Sequence, residues 1–322
     1  MITTHKIFFK NSKQMNELTK GSVDLIVTSP PYPMIEMWDE IFADQNEKIG
    51  KALEKEDGPL AFELMHQELD KVWDDIFRVL KPGGIACINI GDATRTINGH
   101  FALYTNHTRI HTGMQKLGFS ALPVIIWRKQ TNAPNKFMGS GMMPPGAYVT
   151  LEHEYVLILR KGNKKEYKTE SEKKLRRESA FFWEERNIWF SDIWMDLKGA
   201  SQNLLDKNAR NRSAAYPFEL PYRLITMFSA KTDNVLDPFF GIGTTMYAAM
   251  AAGRNSIGYE IDRRLGKNIL PEFDEIVDHS NKRIKERLEN HLEFVENRYQ
   301  KKGKFKHINK HYRFPVVTKQ ET

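Results

Sequence analysis

Val235-Leu236-Asp237-Pro238-Phe239-Phe240-Gly241-Ile242-Gly243-Thr244-Thr245 decides the fold. Residues 234–236 predict a strand, the two glycines a tight turn, and a helix begins near Thr244. Such a turn lets backbone come close to a ligand, and the helix N-terminus offers free N–H groups to a negative group. A phosphate-binding P-loop would end in Gly-Lys-Ser/Thr, and no lysine follows Gly243. A dinucleotide fingerprint needs a third glycine, where this chain has Met246. There remain a nucleoside ligand without a pyrophosphate, its carboxylate or ribose meeting the turn, and an ordinary structural strand–turn–helix. The next predicted strand, 256–259, ends in Glu260, where an acid can accept both ribose hydroxyls.

Further out, a predicted strand at 23–27 runs straight into Thr28-Ser29-Pro30-Pro31-Tyr32. Two prolines stop the ladder and stiffen the chain at the strand's carboxyl end, the edge where open α/β sheets bind ligands. Neither proline nitrogen carries a hydrogen, so the loop offers carbonyl acceptors with few competing donors. A planar group bearing an amine suits it: N–H bonds to Ser29 and the Pro30 carbonyl, with the ring stacked on Tyr32. A plain Ser-Pro-Pro loop is the alternative.

Other strand-like runs lie at 85–90, 123–127 and 155–159, several of them continuously apolar, as in a sheet covered on both faces. Between them Leu69, Val72, Trp73, Ile76, Phe77 and Leu80 make one amphipathic stripe, which Lys81-Pro82-Gly83-Gly84 is expected to stop. Ile284, Leu288, Leu292, Val295 and Tyr299 mark a second helix. The alternation predicts an α/β fold with a mostly parallel, doubly wound sheet.

The 322 residues suffice for one large α/β domain with an insertion, and 28% charged beside 40% hydrophobic residues describe a soluble globular chain. The balance of 48 Lys+Arg to 41 Asp+Glu, net +7, favours a polyanionic partner. Cys87 is the single cysteine, so no internal disulfide or Cys-rich zinc cluster can form, and no metal site is expected. Without an apolar leader or an 18-residue apolar run, the expected location is cytoplasmic, away from membranes. One stretch breaks the alternation. Residues 160–178 carry nine Lys/Arg against four acids, and the polar, basic character resumes over 201–212. It reads as an insertion of about fifty residues in the α/β frame, or as a solvated charged loop.

The proline loop and the glycine turn together, each directly after a strand, resemble the paired motifs of the DNA amino-methyltransferases. The proline motif precedes the glycine motif with the basic insertion between them, the permuted β-type order of that family. The resemblance covers about residues 5–160 and 213–265. It implies a Rossmann-like, seven-stranded sheet with a final antiparallel hairpin, S-adenosylmethionine as cofactor, and a target-recognition region in the insertion. The implied division is a catalytic half at 1–160, the recognition region at 161–212, a cofactor half at 213–280, and a C-terminal helix and basic tail at 281–322. Carried onto this chain, Asp237, Pro238, Phe239, Gly241, Gly243 and Thr244 would surround the cofactor's methionine half, with Thr28 beside them. Glu260 would bind the ribose. Asn11 stands where the family often has an aspartate near the adenine, and Tyr216-Pro217 where it usually has His-Pro.

The implied reaction is methyl transfer to the exocyclic amine of a base flipped out of double-stranded DNA, with Ser29, Pro30, Pro31 and Tyr32 as the catalytic loop. Serine in the first position resembles the N4-cytosine branch; N6-adenine is the alternative, and an RNA methyltransferase or an inactive nucleic-acid-binding relative a further one. Carbon methylation of cytosine would need a thiolate, and Cys87, mid-strand among apolar residues, reads as a buried small hydrophobe. Lys164, Lys165, Arg176 and Arg177 are expected to meet phosphates, and Gln202, Asn203, Arg210 and Arg212 to read bases. A cognate restriction endonuclease is implied as a partner by the family alone.

Overall fold

The computed structural model describes residues 2–129, 141–199, 216–269 and 273–321. At its centre is a sheet of nine strands: β1 (His5–Phe8), β2 (Val23–Thr28), β3 (Leu80–Ile90), the short β4 (Phe119–Ala121), β5 (Ile125–Arg128), β6 (His153–Lys161), β7 (Ile193–Trp194), β8 (Asn234–Asp237) and β9 (Asn255–Tyr259). The spatial order is β1-β9-β8-β2-β3-β6-β5-β7, with β4 also paired to β6. From β1 to β3 all pairings are parallel; β6 then runs antiparallel to β3, and β5 antiparallel to β6.

The sheet is wider than the seven strands the family resemblance implies. The pair β4 and β5 shares one place beside β6, and β7, contributed by residues 161–212, pairs with β5 beyond it. The insertion is therefore woven into the sheet. Its Trp189 and Trp194 are buried in the same apolar cluster as Leu25, Val27, Cys87, Val156 and Ile158. Ile26, Ala86, Ile88, Leu157 and Leu159 point to the opposite face, into a second cluster. Two-sided burial is why these strands read as unbroken apolar runs.

Helix α1 (Gly58–Val79) covers that second face. The Asp57 carboxylate caps it by accepting from the Leu60 amide at 3.1 Å, and Leu69, Val72, Trp73 and Ile76 are buried along its stripe. The helix ends at Val79, and Leu80, expected to close the stripe, opens β3 instead. Lys81-Pro82-Gly83-Gly84 accordingly forms an irregular strand start, not a separate stop. The register shifts between Val23 and Leu25 there, and Gly83 adopts φ +85°. On the other face lie α4 (Glu219–Phe228) and α5 (Thr244–Ala252), numbered after α2 (Glu170–Glu178) and α3 (Trp183–Trp189) of the insertion.

The C-terminal helix α6 (Phe273–Lys302) exists, but its expected apolar stripe is not its buried face. Ile284, Leu292 and Tyr299 are exposed. The inward face is polar: Arg283 donates to Glu219, Arg287 to Glu185 and Tyr222, and His291 lies between Glu184 and the Pro315 carbonyl. No helix among the described residues is long and apolar enough to cross a membrane.

Candidate active site

At the carboxyl edge of the parallel strands opens a cavity of about 460 Å³, lined by both motifs at once. Ser29, Pro30, Pro31 and Tyr32 come from the end of β2, and Asp237, Pro238, Phe239, Gly241 and Thr244 from the end of β8. Glu260 follows β9, and Asn11 follows β1. Adjacent parallel strands bring together residues more than two hundred positions apart.

Asp237 is the tie between the motifs. Its Oδ1 accepts from Thr28 Oγ1 at 2.6 Å and from the Phe239 amide at 3.1 Å, and its Oδ2 accepts from Thr245 Oγ1 at 2.7 Å. The Tyr216 hydroxyl in turn meets Thr245 Oγ1. Burial drives the Asp237 carboxyl above its ordinary range, and these neutral donors offset that only in part. Thr28, expected beside the cofactor, does not line the cavity; it is fully buried and braces Asp237.

The glycines divide the work of the turn. Gly241 adopts φ +57°, a Cβ there would stand in open space, and the residue lines the cavity. Gly243, at φ +91°, caps α5 and does not line the cavity. The turn is held down by Phe240, whose ring lies where a Cβ on Gly258 would stand, 2.0 Å away. Glu260 then closes the turn: its Oε2 accepts from the Gly241 amide at 2.7 Å and its Oε1 from the Asp262 amide at 2.8 Å. Burial raises its pKa to about 7.

Gln45 and Glu68 line the cavity without any signal in the sequence. Gln45 accepts from Asn11 Nδ2 at 3.3 Å, and Glu68 is held by Lys13, by Lys71 at 2.7 Å and by Asn46 at 3.0 Å. Trp38 joins the wall, and Tyr216, where His-Pro is usual, lines the cavity beside Thr245.

The basic residues of 160–178 lie elsewhere. Because β6 runs antiparallel to β3, it carries the chain from the cavity edge at Glu154 to the opposite edge at Lys161. Lys164, Lys165, Arg176 and Arg177 surround a separate cleft there, with Asp24 and Asp233. Lys165 Nζ is committed to Asp24 at 3.0 Å and to Asp233 at 2.9 Å. None of the four borders the cavity. Gln202, Asn203, Arg210 and Arg212 lie outside the described residues.

The cavity fits S-adenosylmethionine: its volume, the side-chain-free Gly241 and the Glu260 carboxylate on its wall suit a nucleoside that carries an amino-acid chain. Residues 23–269 match the DNA methylase family model of N6 and N4 methyltransferases. The type II methyltransferase M.MthZI of Methanothermobacter thermautotrophicus is 56% identical over 322 residues, covering 100% of this chain and 89% of its own. M.MjaI of Methanocaldococcus jannaschii, also a type II methyltransferase, is 49% identical over 88% of this chain and 94% of its own. TTHA0409 of Thermus thermophilus, solved in complex with S-adenosyl-L-methionine, superposes with TM-score 0.66 at 31% identity, covering 85% of this chain and 95% of its own. The cytosine-N4-specific PvuII DNA methyltransferase shares the fold, with TM-score 0.54 at 18% identity over 87% of this chain and 93% of its own. The chain thus belongs to the DNA methylase family of N6 and N4 methyltransferases and is an S-adenosylmethionine-dependent DNA methyltransferase.

Proposed function

We propose that this methyltransferase acts on the exocyclic N4 of a cytosine flipped out of duplex DNA. The observation that carries the reading is the Ser29-Pro30-Pro31-Tyr32 loop lining the same cavity as Gly241 and Glu260. Serine at the head of that loop resembles the family's N4-cytosine branch. When bound, S-adenosylmethionine supplies an electrophilic methyl group.

The chain's residues do the rest. Gly241, Phe239 and Thr244 cradle the amino-acid half of the cofactor, Glu260 accepts the ribose hydroxyls, and Asn11 with Gln45 meets the adenine. Ser29 Oγ and the Pro30 carbonyl each accept one hydrogen of the target amine. That pairing favours a pyramidal nitrogen and localises a lone pair otherwise delocalised into the ring. Tyr32 stacks on the extruded base and excludes water from it. Catalysis is then chiefly positioning and electrostatics.

In this reading residues 1–160 and 213–280 form the two halves of one catalytic unit. Base reading falls to the segment holding Gln202, Asn203, Arg210 and Arg212, between Gly199 and the cavity residue Tyr216. Lys164, Arg176 and Arg177, at the far edge, serve backbone contacts to a long or bent duplex. The type II relatives support a modification role beside a cognate restriction endonuclease. The test is transfer from methyl-labelled S-adenosylmethionine to unmethylated plasmid DNA, followed by nucleoside mass spectrometry. Labelled N4-methylcytosine is expected; labelled N6-methyladenine would overturn the choice of base and keep the chemistry.

A further inference from the structure

From the cavity wall inward, five polar side chains form a hydrogen-bond chain with a direction. Ser29 Oγ donates to Tyr32 Oη over 3.1 Å, and Tyr32 Oη donates to Glu154 Oε2 over 3.0 Å. Asn89 Nδ2 donates to Tyr32 Oη at 2.9 Å and to Glu154 Oε2 at 2.6 Å, and Lys129 Nζ donates to Glu154 Oε1 at 2.8 Å. Glu154 is buried, 8% exposed, at the start of β6 beside the end of β3. Gly91 makes the approach possible, because a Cβ there would stand 3.0 Å from the Tyr32 ring and 3.4 Å from Glu154 Cγ.

A hydroxyl has one hydrogen, and a carboxylate paired with an ammonium can only accept. Glu154 therefore takes the Tyr32 hydrogen. Tyr32 Oη is left with acceptor capacity alone, and Asn89 and Ser29 fill it. The Ser29 hydrogen is drawn to Tyr32, so Oγ faces the cavity with lone pairs only. An N–H placed there finds an acceptor, whereas a ring carbonyl placed there meets lone pair against lone pair, a buried mismatch.

We propose that Glu154 is a positioning and specificity residue, acting through Tyr32 to hold Ser29 Oγ as a pure acceptor so that the site selects an amino-bearing base over its keto counterpart. The inference rests on the reading of Ser29 as the group that receives the target amine. It goes further in assigning that group's polarity to a residue outside the loop.

The test uses duplex oligonucleotides bearing the site mapped by plasmid methylation. The target base is either the natural amino base or its keto counterpart, uracil for cytosine or hypoxanthine for adenine, with 2-aminopurine beside it to report extrusion. The wild-type protein is expected to bind and extrude the amino base about 10-fold more favourably than the keto base. In Glu154→Gln the isosteric amide can donate to Tyr32 and reverse the chain. That variant should bring the preference to within about twofold and slow single-turnover transfer about 100-fold, with cofactor affinity by calorimetry and melting temperature near wild type. Tyr32→Phe breaks the same chain one link nearer the cavity and should lose the preference equally. Retained preference and rate in either variant overturns the proposal, as does a wild-type protein without preference. Loss of cofactor affinity together with cooperative unfolding in both variants would make Glu154 a structural residue only. A wild-type protein that methylates no amino base removes the underlying reading, and the proposal with it.

Discussion

Asp24 and Asp237 sit on neighbouring strands of one sheet, both buried, at opposite edges, and the protein treats them in opposite ways. At the amino edge burial alone would raise the Asp24 carboxyl. The Lys81 ammonium at 2.7 Å, the Asn234 amide and Lys165 overcome it and hold the group below its ordinary range. At the carboxyl edge Asp237 receives only neutral donors and stays raised. Glu260, also served by amides alone, is poised near 7. Asp24, which fastens the scaffold, is neutralised by cations, while Asp237 and Glu260 at the cavity meet neutral donors and keep their charge balance open for a ligand. Of the basic residues of 160–178 near the amino edge, Lys165 is spent on the scaffold acids Asp24 and Asp233.

The contrast can be broken most directly at the cavity. Ser29→Ala should cut methyl transfer by about 100-fold or more, by analogy with the loss of one transition-state hydrogen bond, while DNA affinity in a filter or anisotropy assay stays near wild type. Full activity would remove the amine-holding role of the loop. The two aspartates should then separate cleanly. Asp237→Ala should weaken S-adenosylmethionine binding about 10-fold by calorimetry, through the loss of roughly one buried hydrogen-bonded tie. Asp24→Ala should lower unfolding free energy by about 2 kcal/mol and leave cofactor affinity unchanged. If Asp24→Ala weakened the cofactor as much as Asp237→Ala, the edges would not be functionally distinct.

A smaller effect is expected from pH. Glu260 is raised to about 7, so it takes up a proton as pH falls below that value and, in the proposed ribose-binding role, loses acceptor capacity for two hydroxyls. Cofactor affinity should be level above about pH 7 and fall several-fold as pH drops below it. Glu260→Gln should flatten the profile. The smallest effect belongs to His291, whose Nδ1 faces Glu184 and whose Nε2 faces the Pro315 carbonyl, so both nitrogens donate and the ring is an imidazolium. Burial opposes the charge, and Glu184 outweighs burial and raises the pKa. A raised histidine contributes stability that is complete below its unfolded value, near 6.5, and lost as pH rises through the folded value. Melting temperature should thus decline as pH rises from about 6.5 through the folded value in wild type and not in His291→Gln.

Much of the site was legible because its parts are local. A strand, a proline pair or a glycine turn, and the group that follows are all contiguous, and Asp237 to Glu260 is a single strand–helix–strand step. Glu154 was not legible, because only the antiparallel register of β6 on β3 brings it to Tyr32, 122 positions away. The same reversal carried the basic stretch to the far edge, which charge counting cannot reveal. In α6 the periodicity marks a helix correctly and misplaces its core face. Arginines and a histidine occupy the inward side, satisfied by acids on α3 and α4 that no local pattern announces. The Lys81–Gly84 turn signal was real, yet its glycine conformation serves a bulge inside the strand.

The ring of Phe240 lying over Gly258 has a consequence for genetics. A single methyl at position 258 would collide with the ring at 2.0 Å, lift the turn, and pull the Gly241 amide from Glu260. A screen for alleles that fail to respond to cofactor would return substitutions at a residue that touches no ligand, in the middle of a strand that otherwise reads as inert filling. Selection on cofactor use therefore reaches one layer deeper into this protein than its cavity wall, and a missense change at Gly258 would be misfiled as a folding defect by anyone looking only at the pocket.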